Sequence, residues 1–227
     1  MRRAVAPLIF GLTLIAATPA AFGGWAVISI ESLPEYLVVG EPTTIGFTIR
    51  QHGQELMDDR SPRVIMGEKD GWFSRAPRAK AERRSGSAVY EASVTAREPG
   101  EVTITIDADY NRWTSTLLPI RVVAAGAVAA PLAAHERGRH LFVAKGCVTC
   151  HVKADDSFGE QRTIRVGPDL TNRSFEAEWL AQKLADPARF RAGTSGYTWM
   201  PNLGLEKAEI ATLVSYLNNG TTTATAR

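Results

Sequence analysis

Residues 145–151 read KGCVTCH, and within them stand the chain's only two cysteines, Cys147 and Cys150, followed at once by His151. Thiols at this spacing can serve as a disulfide, a redox couple, part of a zinc site or a double covalent anchor for a prosthetic group, and each use demands different company. A bridge between Cys147 and Cys150 would close a very small loop. Disulfide stabilisation grows with loop length, so this one would be a poor staple for a chain of 227 residues. A thioredoxin-like couple asks for a βαβ setting, and zinc asks for further ligands where no second cysteine pair exists. The periodicity on either side decides which setting is present.

Beyond Pro131 the apolar period is helical. AAHERGRHLFVAKG (133–146) predicts a helix ended by Gly146, with Gly138, Leu141, Phe142 and Lys145 along one side. FEAEWLAQKLADP (175–187) predicts a second helix stopped by Pro187, packed through Trp179, Leu180 and Leu184. LEKAEIATLVSYLNNG (205–220) predicts a third, since Ile210, Leu213, Val214 and Leu217 follow i, i+3, i+4, i+7 and Gly220 supplies the stop.

Before the cysteines the period is two. Ile45, Phe47 and Ile49 share a face in TTIGFTIR; Tyr90, Ala92 and Val94 share one in VYEASVTA; Val102, Ile104 and Ile106 share one in EVTITIDAD. REPGE (97–101) carries a Pro-Gly turn signal between the last two runs, which predicts a hairpin. With WAVISIES, EYLVVG, RVIMG and LPIRVVA, about seven short strands emerge, spaced as in an antiparallel sandwich. The expected organisation is a leader at 1–23, a β-sandwich at 24–124, a small-residue linker at 125–134, a helical module at 135–220 and a tail at 221–227.

The leader has the form of a secretory signal: MRR, then an uncharged apolar stretch, then small residues in TPAAFGG where a peptidase can cut. Retained, the same stretch would be a membrane anchor, although Pro7, Pro19 and Gly23-Gly24 interrupt a spanning helix. Setting Arg2 and Arg3 aside leaves 24 of the 26 basic residues against 24 acidic ones, so no bulk field points to nucleic acid or to a membrane surface.

C-x-x-C-H in an exported chain is the attachment signature of c-type haem. Two thiols add across the two vinyl groups of the porphyrin, and the next residue, His151, projects toward the iron. The order of Gly138 and Phe142 on a first helix, Cys147-x-x-Cys150-His151, Gly167-Pro168-Asp169-Leu170, Met200-Pro201 and a last helix with Tyr216 resembles class I cytochromes c, over about Pro131 to Gly220. The resemblance implies one covalent haem c with iron ligated by His151 and Met200. It also implies that the Pro168 carbonyl orients the His151 ring, and that Gly138, Phe142 and Tyr216 pack where the first and last helices cross. A thioether is a soft, neutral ligand that favours ferrous iron. With both axial positions filled the chemistry is electron transfer without a catalytic residue.

The expected fold is thus multidomain: an N-terminal all-β immunoglobulin-like sandwich, which EYLVVGEPTTIGFTIRQ resembles, followed by an all-α class I cytochrome c domain. The expected function is that of an exported, periplasmic monohaem cytochrome passing electrons between redox protein partners. The alternatives are a relay subunit of a larger oxidoreductase and a haem-based gas sensor. Other candidates compete weakly. His135 and His140 lie on the first helix as possible iron ligands, and Tyr197 and Trp199 as haem-pocket walls. His52, Met57 and Met66 would suit copper, but a blue-copper centre needs a cysteine that the β region lacks. VKADDSFGEQRTIR (152–165) has the mixed charge of a solvated loop. RAPRAKAERR (75–84), with Glu82 its single acid, reads as a solvated loop or as a docking patch for an acidic partner.

Overall fold

The computed structural model describes residues 24–68, 77–159, 161–190 and 199–218. The leader, the tail, Gly220, Tyr197 and the start of the basic stretch lie outside them.

Among the described residues, the β region forms eleven strands in two sheets. In the first, β1 (Ala26–Ile30), β3 (Pro42–Gln51), β8 (Val89–Thr95) and β7 (Glu82–Arg83) follow in that order, and β4 (Glu55–Leu56) also pairs β3. The second runs β2 (Leu37–Val38), β11 (Ile120–Val123), β9 (Gly100–Asp107), β5 (Arg63–Glu68), β6 (Arg78–Lys80), with β10 (Thr114–Thr116) beside β9. Ile45, Phe47 and Ile49 from β3, Tyr90 and Ala92 from β8, and Ile104 and Ile106 from β9 are buried in one core shared by both sheets. Each isoleucine and the phenylalanine among them contributes about 1.5–3 kcal/mol of burial.

Three expectations from the sequence need correction. Five of the eleven described strands are only two or three residues long, too short to show alternation, and β2 pairs β11 in parallel rather than antiparallel. The REPGE turn does not close a hairpin: β8 pairs β3 and β7 in one sheet, whereas β9 pairs β5, β10 and β11 in the other. Period-two alternation shows which face of a strand is buried, but not which strand lies beside it. Both runs point apolar residues at the same core from opposite sheets. The basic stretch, read as a loop between strands, instead contributes β6 and β7 where it is described, and Arg83 pairs Asp58 at 3.6 Å and Arg84 pairs Glu31 at 2.7 Å and Glu91 at 2.5 Å.

The helical region holds α1 (Ala134–Ala144), α2 (Cys147–Cys150), α3 (Ala177–Ala185), a 3-10 turn (Pro187–Phe190) and α4 (Lys207–Asn218). Glu176 caps α3 by accepting from the backbone N–H groups of Glu178 and Trp179. Helices α1 and α4 pack at Gly138. A Cβ there would collide with the Cβ of Tyr216 and stand 2.9 Å from the carbonyl of Thr212, so only glycine permits the approach. Phe142 lies beside Tyr216 with ring centroids 5.9 Å apart and stacks on Phe158 at 5.3 Å. The Tyr216 hydroxyl donates to Asp156 at 2.7 Å, and Arg139 donates to the other carboxylate oxygen at 2.9 Å. Of the two first-helix histidines, His140 is buried against Glu136 at 3.2 Å, and His135 meets Tyr216 edge-on.

The two regions pack on each other. Ala26, Ile28 and Ile30 of β1 face the sandwich core, while Val27 and Ser29 on its other face are buried as well, at 2% and 5% exposure. The Ser29 hydroxyl donates to the carbonyl of Lys145 at 3.0 Å. The Lys145 ammonium, itself 2% exposed, donates to the carbonyl of Glu31 at 2.8 Å and pairs with Glu209 of α4 at 2.6 Å. Arg137 of α1 reaches the carbonyls of Leu33 and Pro34 and pairs Glu35 at 3.0 Å. The 152–165 segment, read from sequence as a solvated loop, also joins the contact. Gln161 donates to the carbonyl of Thr116 at 2.8 Å, Arg162 lies 4.2 Å over the ring of Trp113, and Phe158 is buried.

Candidate functional site

Gly146, at φ +77, ends α1 in the left-handed conformation and turns the chain into α2, one short helical turn that carries both cysteines. The backbone N–H of His151 donates back to the carbonyl of Cys147 at 2.9 Å, so the histidine leaves the turn in extended conformation immediately after the second thiol. Both thiols are free and partly buried. Burial pushes Cys147 up to about 12 and Cys150 up to about 11, so both stay protonated at neutral pH. The working thiol of a redox couple needs the opposite shift, toward thiolate. Among the described residues no three His, Cys, Asp or Glu side chains gather as a metal site.

The segment after the long loop is pinned along this turn. Ile164 N–H donates to the carbonyl of Thr149 at 2.8 Å, Gly167 N–H to that of Cys150 at 2.9 Å, and Leu170 N–H to that of Val152 at 2.8 Å. These bonds bring Pro168 over His151. Nδ1 of His151 donates to the Pro168 carbonyl at 2.9 Å. A carbonyl can only accept, so the proton is on Nδ1 and the Nε2 lone pair is free. Burial lowers the His151 pKa, against the smaller opposing pull of that hydrogen bond, and keeps the ring neutral. Gly167 makes room: a Cβ there would stand 2.5 Å from Cε1 of the same ring. Met200 is partly buried against the core, in the stretch leading into α4.

The residues present fit a covalent haem. Two unpaired thiols lie one helical turn apart, and an imidazole fixed through Nδ1 offers Nε2 as a donor. The cradle at Gly167 admits no bulkier residue against that ring.

The Cytochrome c family matches residues 135–221. Those residues form a cytochrome c domain. The chain is accordingly a haem-binding electron-transfer protein with haem c held covalently, behind a β-rich N-terminal region. Among solved structures it is similar to the ZirS C-terminal domain, at 13% identity and a TM-score of 0.31, covering 54% of this chain and 84% of that one. It is also similar to a beta-glucosidase from Listeria innocua, at 15% identity and a TM-score of 0.31, covering 46% of this chain and 17% of that one. A superoxide reductase (neelaredoxin) from Ignicoccus hospitalis matches at 14% identity and a TM-score of 0.30, covering 45% and 83%. No curated protein matches the chain.

Sequence reasoning missed the residues that join the cytochrome c domain to the β module. Gln54, in the turn between β3 and β4, donates through Nε2 to the carbonyl of Trp199 at 2.6 Å, and Arg50 of β3 donates through Nη2 to that of Asn202 at 3.4 Å. Polar residues at a strand end carry no signal of a contact 145 or 152 positions away. Lys145 did leave one, a cation on the apolar side of a helix.

Proposed function

We propose that this protein is an exported monohaem c-type cytochrome of class I that carries single electrons between redox protein partners. In this reading Cys147 and Cys150 would hold one haem through thioether bonds, and His151 and Met200 would ligate its iron. Bound there, the haem supplies a one-electron change between ferrous and ferric iron. The chain's own residues hold the cofactor's surroundings constant. Pro168 fixes the tautomer and orientation of His151, and Gly167 lets that ring seat. The α1–α4 crossing fixes the helix that delivers the attachment turn. The observation that carries the reading is the hydrogen bond from Nδ1 of His151 to the Pro168 carbonyl, beside two protonated thiols that form no bridge.

The β module supports an immunoglobulin-like reading. Strands β1, β3, β8 and β7 match the A, B, E, D order of one immunoglobulin sheet, and β5, β9 and β11 match C, F and G of the other. Export rests on the composition of the leader. Among the described residues no helix is long and apolar enough to cross a membrane.

Absorption spectra of protein matured with c-type haem, taken oxidised, reduced, and reduced under carbon monoxide, test the assignment. The expected result is haem that survives denaturation on the chain, low-spin iron in both states and no spectral shift under carbon monoxide. Ready binding of carbon monoxide would overturn Met200 as a ligand, and haem lost on denaturation would overturn the attachment.

A further inference from the structure

We infer that the β module positions the ligand loop of the cytochrome c domain: Gln54 and Arg50 hold the main chain on either side of Met200. The inference rests on Met200 as the sixth ligand. Gln54 grips the carbonyl one residue before Met200 at 2.6 Å, and Arg50 reaches the carbonyl two residues after it at 3.4 Å. Both side chains donate to backbone oxygens of the loop, so what they fix is the path of the chain rather than any one side chain of the loop.

The support is itself rigid. Arg50 belongs to the ladder between β1 and β4, facing Val27 on one side and Leu56 on the other. The turn beyond it holds His52 at φ 50 and Gly53 at φ 72, His52 packs on Trp25 with centroids 5.7 Å apart, and a Cβ on Gly53 would meet the Trp25 ring at 3.4 Å. Arg50 is partly withdrawn from water, and its Nε is buried without a hydrogen-bond partner among the described residues. At 3.4 Å the Arg50 contact is long for a hydrogen bond, so the shorter, part-buried bond from Gln54 carries most of the hold on the loop. On the loop side, the Asn202 side chain accepts from the backbone of Gly204 at 2.9 Å, which fixes the turn that presents the Asn202 carbonyl.

The consequence is chemical. A neutral thioether holds iron weakly and competes with any stronger ligand that can reach the metal. Its advantage is that it is already in place, and that advantage depends on how tightly the loop is confined. Loosening the loop lowers the effective concentration of the Met200 sulfur without touching Met200.

Imidazole binding to full-length ferric holoprotein provides the test, followed by the Soret shift and by loss of the near-infrared sulfur-to-iron charge-transfer band, with the reduction potential as a second readout. Gln54→Glu keeps the shape and removes the donor, and Gln54→Ala removes the side chain. Losing this hydrogen bond should tighten imidazole binding by about tenfold in each, with a lower potential, and Glu55→Gln on the exposed β4 neighbour should do neither. Wild-type imidazole affinity in both Gln54 variants overturns the inference, as does an equal change in Glu55→Gln, which would mean general loosening of the sandwich. Met200→Ala separates the two readings. If the wild-type protein shows the band and Met200→Ala abolishes it, the ligand stands and the Gln54 variants alone decide. If the wild-type protein lacks the band, the ligand assignment fails and takes this inference with it.

Discussion

Replacing Gly146 by alanine tests whether the β module packs on the attachment turn, and its cost has two separable parts. At φ +77 an L-residue carries left-handed strain of about 1–2 kcal/mol. The new Cβ would also stand 2.6 Å from Cγ1 of Val27 and 2.7 Å from the carbonyl oxygen of Ile28. The Val27 methyl can turn aside, but Ile28 is held in register against Ile49 and its carbonyl cannot move unless β1 or the turn moves with it. Overpacking of this kind costs about 1–3 kcal/mol, so Gly146→Ala should lose about 2–5 kcal/mol in all. Gly126→Ala isolates the first part, because Gly126 has nearly the same φ, +76, and nothing within 4 Å of its added Cβ. Urea unfolding of the two holoprotein variants, followed by far-ultraviolet circular dichroism and by the Soret band, measures the difference. Equal losses in the two would refute the packing of β1 against this turn.

Three other variants probe the frame of the site. Gly138→Ala gains about 1 kcal/mol of helix propensity but forces α1 off Tyr216 and Thr212 at a cost of about 1–3 kcal/mol, so urea unfolding should show a net loss of about 1 kcal/mol, and a stabilised variant would refute the close crossing. Glu209→Gln leaves the buried Lys145 ammonium without its anion and should cost about 3–5 kcal/mol by the same measurement, whereas Lys145→Met with Glu209→Leu should recover most of it. Burial alone would raise Asp156, but hydrogen bonds from Tyr216 and Arg139 outweigh it and hold the carboxyl below the usual range. Its stabilising contribution is therefore complete above the ordinary carboxylate pKa and disappears as pH falls through the lower folded value. Asp156→Asn should flatten that acid limb of stability against pH, and an unchanged limb would refute the coupling.

Local chemistry made the attachment turn legible. The spacing of Cys147, Cys150 and His151, the glycine that ends α1, and the glycine-proline pair at 167–168 are all short-range patterns, and each lies where its geometry demands. The three helices were legible because apolar positions recur along one strip. The sandwich was legible as a core but not as a topology. Tyr90 and Ile104 face the same interior from different sheets, and nothing in alternation distinguishes that from a hairpin. The contact between modules was hidden for a different reason. It is made by Ser29, Arg50, Gln54, Lys145 and Gln161, polar residues that bond mostly to backbone carbonyls, and a carbonyl leaves no trace in sequence. Besides Lys145 on the apolar side of its helix, the strand Ala26–Ile30 carried a hint, since Ala, Val and Ile on both of its faces leave little that is suited to water.

That strand explains why one sheet can serve both ends of the site. Val27 is paired with Arg50, and side chains directly opposite in an antiparallel ladder project to the same face. Val27 contacts Gly146 at the head of the attachment turn, while Arg50 reaches the main chain beyond Met200. The two segments are separated by some fifty residues of chain, part of it a long loop, yet they are anchored on adjacent strands of one rigid surface. A β-ladder resists shear far better than a loop does, so it fixes the spacing between the two segments through backbone hydrogen bonds that no change of iron charge disturbs. For a protein that must change oxidation state with little rearrangement, a sheet spanning the two is a direct way to keep that rearrangement small. On the proposed ligation by His151 and Met200, the β module then helps hold both ligand segments in place.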